Sequence, residues 1–546
     1  MMLWQNKQIL PFSQGYDVRK SGVIVGKKGK DNSDALRHAF TTAAAMGVPA
    51  LLPEGVIEYR PTVARSLFAP CSIIGRGRGA SILSCTTVDG RNSRIDVIGD
   101  KLTFQGFTME SPNTPYLWES NESHNGLAVR GRTYLSFRDL EFVRTLGASL
   151  MLRDVYEIQV EGIYVLDNFK DGVHVTGASQ HVQIDGVHAK RCGDDTVAVV
   201  GYADGTGAGR PILVSINNVH TSDSIQGRGV AVLGAMHVQL SNLFIENPHA
   251  GGLFIGTEVV GGARPYSTYP SEHISADNVH VVNGGKNNVA PIRISGLSNA
   301  NPSRDINVTN FKVTNSASFG VVVAGGVQDV TLQNGSIDTT TQSAIQMTET
   351  WGGTIDNMKL YDIGESGVVI GSGSGGTQRI TNIDAKNINT RFGTEGAAAD
   401  ASSNDVVRII TSADFTAITI DEVHLTAQEK TMDRLIENQN YEVTKMGRVT
   451  TVRDTGSIAA VITGLPAVIL AAGDVTASPY TLPAVDYDRT VRVYGGTVTK
   501  LDLKWGGLNP VTLRKKNGFV TVKAHHELIV TYTLKPTISY FATSIT

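Results

Sequence analysis

Cysteine is nearly absent from this chain. Three residues, Cys71, Cys85 and Cys192, serve 546 positions, and so sparse and odd a set cannot build a disulfide framework. Stability has to come from a packed core, and Cys192, at the end of a strand-like stretch, suits packing better than reactivity. An excess of one charge is lacking too: 48 basic residues face 51 acidic ones, the net charge is −3, and neither sign forms a long run. That balance excludes the footprint of a nucleic-acid binder or a polybasic membrane contact, and argues against ligand selection by bulk charge. Long apolar runs are missing as well. The stretch from Ala459 to Gly473 is interrupted by Gly464 and Pro466 and falls short of the about 18 residues a spanning helix needs. The opening Met-Met-Leu-Trp-Gln-Asn-Lys has no apolar core of a signal peptide, so the expectation is folding in a cytoplasm without membrane insertion.

What the chain does have is glycine, 58 residues of it, beside a 41% hydrophobic content that can fill a core. A phrase close to Val-x-Ile-x-Asn-Val-x-Val-x-Asn recurs every 23 to 25 residues or so, stretching to the mid-thirties where a loop intervenes. Its aligned positions are Gly106, Asp139, Gly162, Gly186, Asn218, Asn242, Asn278, Asn310, Asn334, Asn357, Asn382 and, more loosely, Glu422. Alternation on both sides of a turn residue means strand, turn, strand. A unit this small cannot bury its own apolar face, so copies must stack, and each position in the unit becomes a vertical file. The expected fold class is all-β, a parallel β-helix of about 12 coils.

Residues 1–30 read as an attachment segment or short cap, 31–448 as the coils, and 449–546 as a C-terminal β-sandwich-like domain with a trimerisation or sugar-binding role. A capping helix should follow Asp31-Asn32-Ser33-Asp34, with Leu36, Ala39, Phe40 and Ala43 on its apolar stripe and Gly47 as its stop. Before each recurrent phrase runs a second, shorter strand, as in Gly172-Val-His-Val-Thr-Gly177 and Thr196-Val-Ala-Val-Val-Gly201. Insertions at 111–123, 202–211, 257–271, 297–303 and 391–404 should wall a groove. The opening Asp-x-Ser-Asp-Ala-Leu, the Ala-rich helix and Leu52-Pro53-Glu54-Gly55 resemble the pectate-lyase-like right-handed parallel β-helix superfamily, an opening shared by phage tailspikes and depolymerases.

Aligning the short strands places Asp171, Asp195 and Arg228 at one position of three consecutive coils, with Asp194 one residue earlier. Adjacent strands lie about 4.8 Å apart, so carboxyls in neighbouring coils should repel and raise the pKa of one of them, the condition acid/base glycoside cleavage requires. The plainer alternative is that these aspartates only bond turn amides. Lys170-Asp171-Gly172-Val173 and Gly193-Asp194-Asp195-Thr196 resemble the polygalacturonase family's Asn-Thr-Asp-Gly and Asp-Asp blocks. That resemblance implies catalytic roles for Asp171, Asp194 and Asp195, one as general acid and the others activating water. Where the family has Gly-His-Gly this chain has Gly227-Arg228-Gly229, and where it has its uronate-binding Arg-x-Lys this chain has Phe254-Ile255-Gly256. Polygalacturonate itself is therefore not the expected substrate.

The remaining expectations follow. Asp195 or Asp171 is expected as the acid, with Arg228, His174, Glu246, Phe254, Glu258 and Tyr202 as substrate contacts and neither cofactor nor metal. His188, His220, His280 and His424 share a file that alternation places on the outer surface. The resemblance implies a phage tailspike-like homotrimer on a virion, attached to the tail or baseplate through its N-terminus. It would be made in a host cytoplasm and would hydrolyse a capsular polysaccharide, exopolysaccharide or O-antigen outside the cell. The alternatives are a lyase using Arg228 with aspartate-bound calcium, and a non-catalytic receptor-binding fibre.

Overall fold

The computed structural model describes residues 14–62, 66–87, 93–113, 122–204, 208–260, 266–298, 300–388 and 390. Beyond these it describes 405–409, 414–425, 432–438, 445–446, 458–463, 468–470, 478–482, 487–494, 497–505, 511–513, 518–522, 526–534 and 537–545. The expected insertion at 391–404 lies outside the described residues. The chain divides into two compact units, Met1–Ala317 and Ser318–Thr546.

In the first unit the chain winds as a parallel β-helix. One file of short strands pairs in parallel from Leu67–Ala69 through Ile95–Val97, Leu127–Arg130, Leu150–Arg153, Val173–Thr176, Val197–Val200, Val230–Leu233 and Leu253–Gly256 to Ile292–Ser295. A second file holds the longer strands, among them Tyr156–Leu166, Gln180–Lys190, Ile212–Ser222 and Met236–Glu246. Alternation assigns the faces. Leu150, Val173, Val197, Val230, Leu253 and Ile292 stack inward and are fully buried, and so do Leu152, Val175, Val199, Val232, Ile255 and Ile294 two residues on. Each such side chain contributes about 1.5–3 kcal/mol by leaving water, which makes these files the core of the coil.

The long strands are bent, and the bends explain the recurrent phrase. All twelve aligned turn positions from Gly106 to Glu422 have positive φ, the left-handed region that favours Gly, Asn and Asp. The second Asn of the phrase marks another such file five residues on, and the structure adds a flanking file five residues before: in one coil His237, Asn242 and Asn247 have φ of 55°, 55° and 50°. The flanking file includes Tyr134 and Leu213, residue types with no local reason to adopt that conformation, so it left no sequence signal. In the central file the side chains bond coil to coil, Asn242 Nδ2 donating to Asn217 Oδ1 (2.9 Å) and Asn278 Nδ2 to Asn242 Oδ1 (2.7 Å). His188 and His220 are exposed and stand in register, on the outer face where alternation puts them.

At the N-terminus, helix Ser33–Ala45 buries Leu36, Ala39, Phe40 and Ala43 as its pattern predicts, and Gly47 at φ 66° follows its end. Asn32 occupies the N-cap but spends its amide on the Ile24, Lys30 and Glu58 carbonyls, while Asp31 Oδ1 accepts from the Ser33 amide (2.9 Å). Part of the expected attachment segment belongs to the fold itself, since Tyr16–Asp17 pairs in parallel with Ala50–Leu51. In the second unit the parallel ladder runs from Val321–Ala324 through Ile345–Met347, Val368–Ile370 and Val407–Ile409, then on to Met432–Asn438 and Ile458–Thr463. It thus passes residue 448, where the spacing argument ends the coils, because the last strands pair without keeping the recurrent phrase. Two four-stranded antiparallel sheets follow, sharing a core of Leu482, Val491, Val498, Leu501, Val522, Leu528 and Val530, as a β-sandwich does.

If the left-handed corners and their amide ladder set the register, Asn242→Val should lower stability by about 1–2 kcal/mol more than Asn242→Gly, because both lose the ladder bonds but only valine resists positive φ. Denaturant unfolding of the two variants side by side measures this, and equal losses would remove the argument.

Candidate active site

Three successive corners lead into the strands Val173–Thr176, Val197–Val200 and Val230–Leu233, and their last residues carry the chemistry. They stack unusually closely. A Cβ on Gly193 would lie 2.4 Å from the Phe169 carbonyl carbon, and one on Gly227 would lie 2.2 Å from the Asp194 carbonyl carbon. Glycine at these two places lets the loops touch backbone to backbone. The strand registers then place Asp171, Asp195 and Arg228 in one file, as the alignment predicts.

Within that file a single motif repeats. Asp171 Oδ1 accepts the Asp195 amide (3.2 Å), and Asp195 Oδ1 accepts the Arg228 amide (2.9 Å). Each carboxylate therefore caps the same position of the next coil, which is the structural role a turn aspartate performs. The second oxygens are committed as well. Asp171 Oδ2 meets His174 Nδ1 at 2.8 Å, and Arg228 forks onto Asp195 through Nε (2.8 Å) and Nη2 (3.1 Å). Arg228 also reaches Glu258 Oε1 at 3.3 Å.

Asp194 is different. It points from the same corner but caps nothing, and among the described residues no hydrogen bond reaches its half-buried carboxyl. Burial, then the charges of Asp171 and Asp195, push its pKa from 3.8 up to about 8, against the pull of Arg228 and Lys170. Burial also pushes Asp195 upward, with the Arg228 guanidinium opposing it. For Arg228 burial acts to lower the pKa, but the Asp195 carboxylate outweighs it and holds the guanidinium well above its ordinary value. Lys170 is lowered by burial while Asp194 and Asp171 draw it back up. It is the one charged member of the group that the motif comparison left without a role, although it stands in the Lys-Asp-Gly block itself.

One oxygen from each aspartate lies within 4.8 Å of the others, close enough for mutual repulsion and for a shared cation. The cation reading has few free donors, since Asp195 gives both oxygens to Arg228 and a calcium ion asks for six to eight. Cys192 is buried beneath this group and donates to the Lys170 carbonyl at 3.2 Å, and burial pushes its thiol upward, so it is a packed residue.

The other expected contacts divide. His174 and Glu258 join the group through Asp171 and Arg228. Phe254, only 8% exposed, forms an outer apolar cluster with Ala198, Val200, Ala231 and Leu233, and Tyr202 packs against it. Its ring lies between two guanidiniums, 5.1 Å from Arg228 and 5.3 Å from Arg293, so it is a wall and not an open stacking platform. The inserted loops raise that wall further: Ala203 donates to the Ser267 carbonyl (2.9 Å) and Asp204 accepts from Ser267 Oγ (2.8 Å). Glu246 stays apart. It ends a long strand in register with Ser222 and Val282, and among the described residues its carboxylate has no hydrogen bond or ion pair to the aspartates. Arg228 is engaged by Asp195 and Glu258.

No family model and no curated protein matches the sequence. Among solved structures, the catalytic domain of a GH87 alpha-1,3-glucanase in complex with nigerose is similar at TM-score 0.49 and 15% identity, over 64% of this chain and 68% of that one. The catalytic unit of a GH87 alpha-1,3-glucanase from Streptomyces thermodiastaticus gives 0.44 and 13%, over 82% and 69%. The A-module of a mannuronan C-5 epimerase from Azotobacter vinelandii gives 0.42 and 13%, over 82% and 99%. The likeness is one of fold.

A raised carboxyl makes folding depend on pH with a definite sign. Between the unfolded value near 3.8 and the folded value of about 8, the folded chain keeps a proton at Asp194 that the unfolded chain releases, so this group makes stability fall as pH rises across that window. The melting temperature of the wild type should therefore drop between pH 5 and pH 8, and that of Asp194→Asn should drop less. Parallel slopes in the two melting series would contradict the assignment.

Proposed function

We propose that the chain hydrolyses glycosidic bonds in a polysaccharide, with Asp194 as general acid. The observation that carries this is the contrast within one 4.8 Å group: Asp171 and Asp195 are tied to backbone amides and to His174 and Arg228, while Asp194 is half-buried, has no hydrogen bond to its carboxyl among the described residues, and is pushed by burial and its neighbours up to about 8. Asp194 gives its proton to the glycosidic oxygen as the bond to the anomeric carbon breaks. Asp171, oriented by His174 and the Asp195 amide, takes a proton from the attacking water, and the product is a new reducing end. Asp195 acts as a positioning residue, 3% exposed and held in the Arg228 fork. This assignment replaces the expectation of Asp195 or Asp171 as the acid, because neither offers an uncommitted protonated oxygen.

The lyase alternative needs Arg228 to surrender a proton and act as base. Asp195 and Glu258 stabilise its charged form, which opposes that step. A non-catalytic fibre would account for the amide caps of Asp171 and Asp195 but supplies no role for Asp194. The setting we favour is that of a tailspike-like depolymerase, a homotrimer on a phage tail cutting a bacterial capsule, exopolysaccharide or O-antigen outside the cell. What supports it is the opening segment from Asp31 to Gly55 and its likeness to phage appendage proteins.

Reducing-end assays over a panel of bacterial surface polysaccharides test the chemistry. Asp194→Asn should lose about 10²–10⁴-fold in cleavage rate while still binding the polysaccharide, and Glu246→Gln should stay near wild type. Wild-type cleavage should decline as pH rises through about 8, where Asp194 gives up its proton. Full activity in Asp194→Asn would end the proposal.

A further inference from the structure

Lys170 and Asp194 occupy one position in neighbouring coils. Counting back three residues from the paired strand starts Val173, Val197 and Val230 gives a file of Lys170, Asp194 and Gly227. The Asp194 amide donates to the Lys170 carbonyl at 3.2 Å, so the roots of the two side chains are joined directly. That carbonyl also accepts from Asn168 Nδ2 (3.0 Å) and Cys192 Sγ (3.2 Å), and three donors on one oxygen leave the lysine backbone little room to shift. On its other flank Asp194 has Gly227, which presents no side chain. The neighbour of the Asp194 carboxyl within its own file is therefore a lysine, and the same lysine precedes Asp171 in the chain.

A half-buried ammonium is costly unless anions surround it. Burial acts against the charge of Lys170, and Asp194 and then Asp171 act in its favour, so both carboxyls are coupled to the one cation. The coupling is mutual. Burial and the other two aspartates raise the Asp194 carboxyl, and Arg228 and Lys170 pull it back. Of these two cations Arg228 is held on Asp195 and Glu258, whereas Lys170 stands between the two carboxyls whose protonation changes in the reaction.

Hydrolysis moves one negative charge across this group. The Asp194 proton goes to the glycosidic oxygen as its bond to the anomeric carbon breaks, and the oxygen of water bonds to that carbon. One water proton goes to Asp171 and the other stays on the new hydroxyl. Asp171 thus ends neutral and Asp194 ends as a carboxylate, formed within 4.8 Å of the Asp195 carboxylate. We propose that Lys170 is a second positioning residue, its ammonium serving as counter-charge to Asp171 before this transfer and to Asp194 during it. The proposal rests on the hydrolase reading above and adds a residue to it. A cation already in place where charge develops lowers a barrier without reorganisation, and the backbone bonds at the Lys170 carbonyl keep the root of this one fixed.

The test compares the full chain with Lys170→Met and Lys170→Arg, on whichever bacterial surface polysaccharide the wild type cleaves. Lys170→Met should lower kcat about tenfold or more with KM nearly unchanged, and the pH at which cleavage declines should rise, because Asp194 then keeps its proton to higher pH. Lys170→Arg should bring the rate back to within several-fold of wild type and return the pH limb. A lysine with only a structural role would reduce the amount of folded protein and leave that limb in place. Thermal unfolding gives a readout without substrate: the fall in melting temperature due to Asp194 should extend to higher pH in Lys170→Met, and the extension should vanish when Asp194→Asn is added. An unmoved pH limb, or matching melting profiles for Lys170→Met and wild type, overturns the inference. The two failures are separable: an inactive wild type ends the hydrolase reading while the melting series still judges Lys170, and cleavage with an unshifted limb ends this inference alone.

Discussion

Everything in this protein depends on parallel register between successive coils. Hydrogen bonding along the short-strand file fixes which residue stands over which, and a slip of one position would turn every buried valine outward and every outward side chain in. That penalty is repeated at each coil, so the stack tolerates conformations no single residue would choose, including a leucine and a tyrosine at positive φ. It also brings together charges that would otherwise separate. Three aspartates within 4.8 Å, with a lysine and an arginine around them, stay in place because their backbones belong to strands that have no freedom to drift apart.

The site shows how structural and chemical roles share one motif. Capping the amide of the next coil is what an aspartate at a corner does, and Asp171 and Asp195 both do it. The cap aligns the carboxyls and uses up their bonding capacity, and burial together with the negative charge it gathers holds the adjacent Asp194 carboxyl well above its ordinary pKa. A second aspartate in sequence after Gly193 adds a third carboxyl to a stacking device, because the glycines at 193 and 227 bring the three corners to backbone contact.

Much of this was legible in the sequence, for physical reasons that vary by feature. The central corner file and the one five residues after it show because left-handed φ selects Gly, Asn and Asp, as at Asn242 and Asn247; the file five residues before does not, because register alone enforces it at Tyr134 or His237. The Asp171, Asp195, Arg228 file follows from strand alternation, which counting can recover. Division of labour among the carboxyls does not, since it depends on which oxygens meet amides and how deeply each is buried. Glu246 lay near in number yet ends a different strand, and Phe254 has the chemistry of a sugar platform but is enclosed by the loops beside it.

The close contact of Gly193 and Gly227 with the corners before them has an evolutionary consequence. The smallest change this architecture can absorb in its wall is a whole turn of the coil, gained or lost between matching corners, because any other number of residues would shift all later side chains against their neighbours. Variation in length is therefore confined to entire repeats and to the loops that leave the corners. A lineage of such proteins would diversify by moving intact turns and exchanging loops, carrying its carboxyl group along as a cassette.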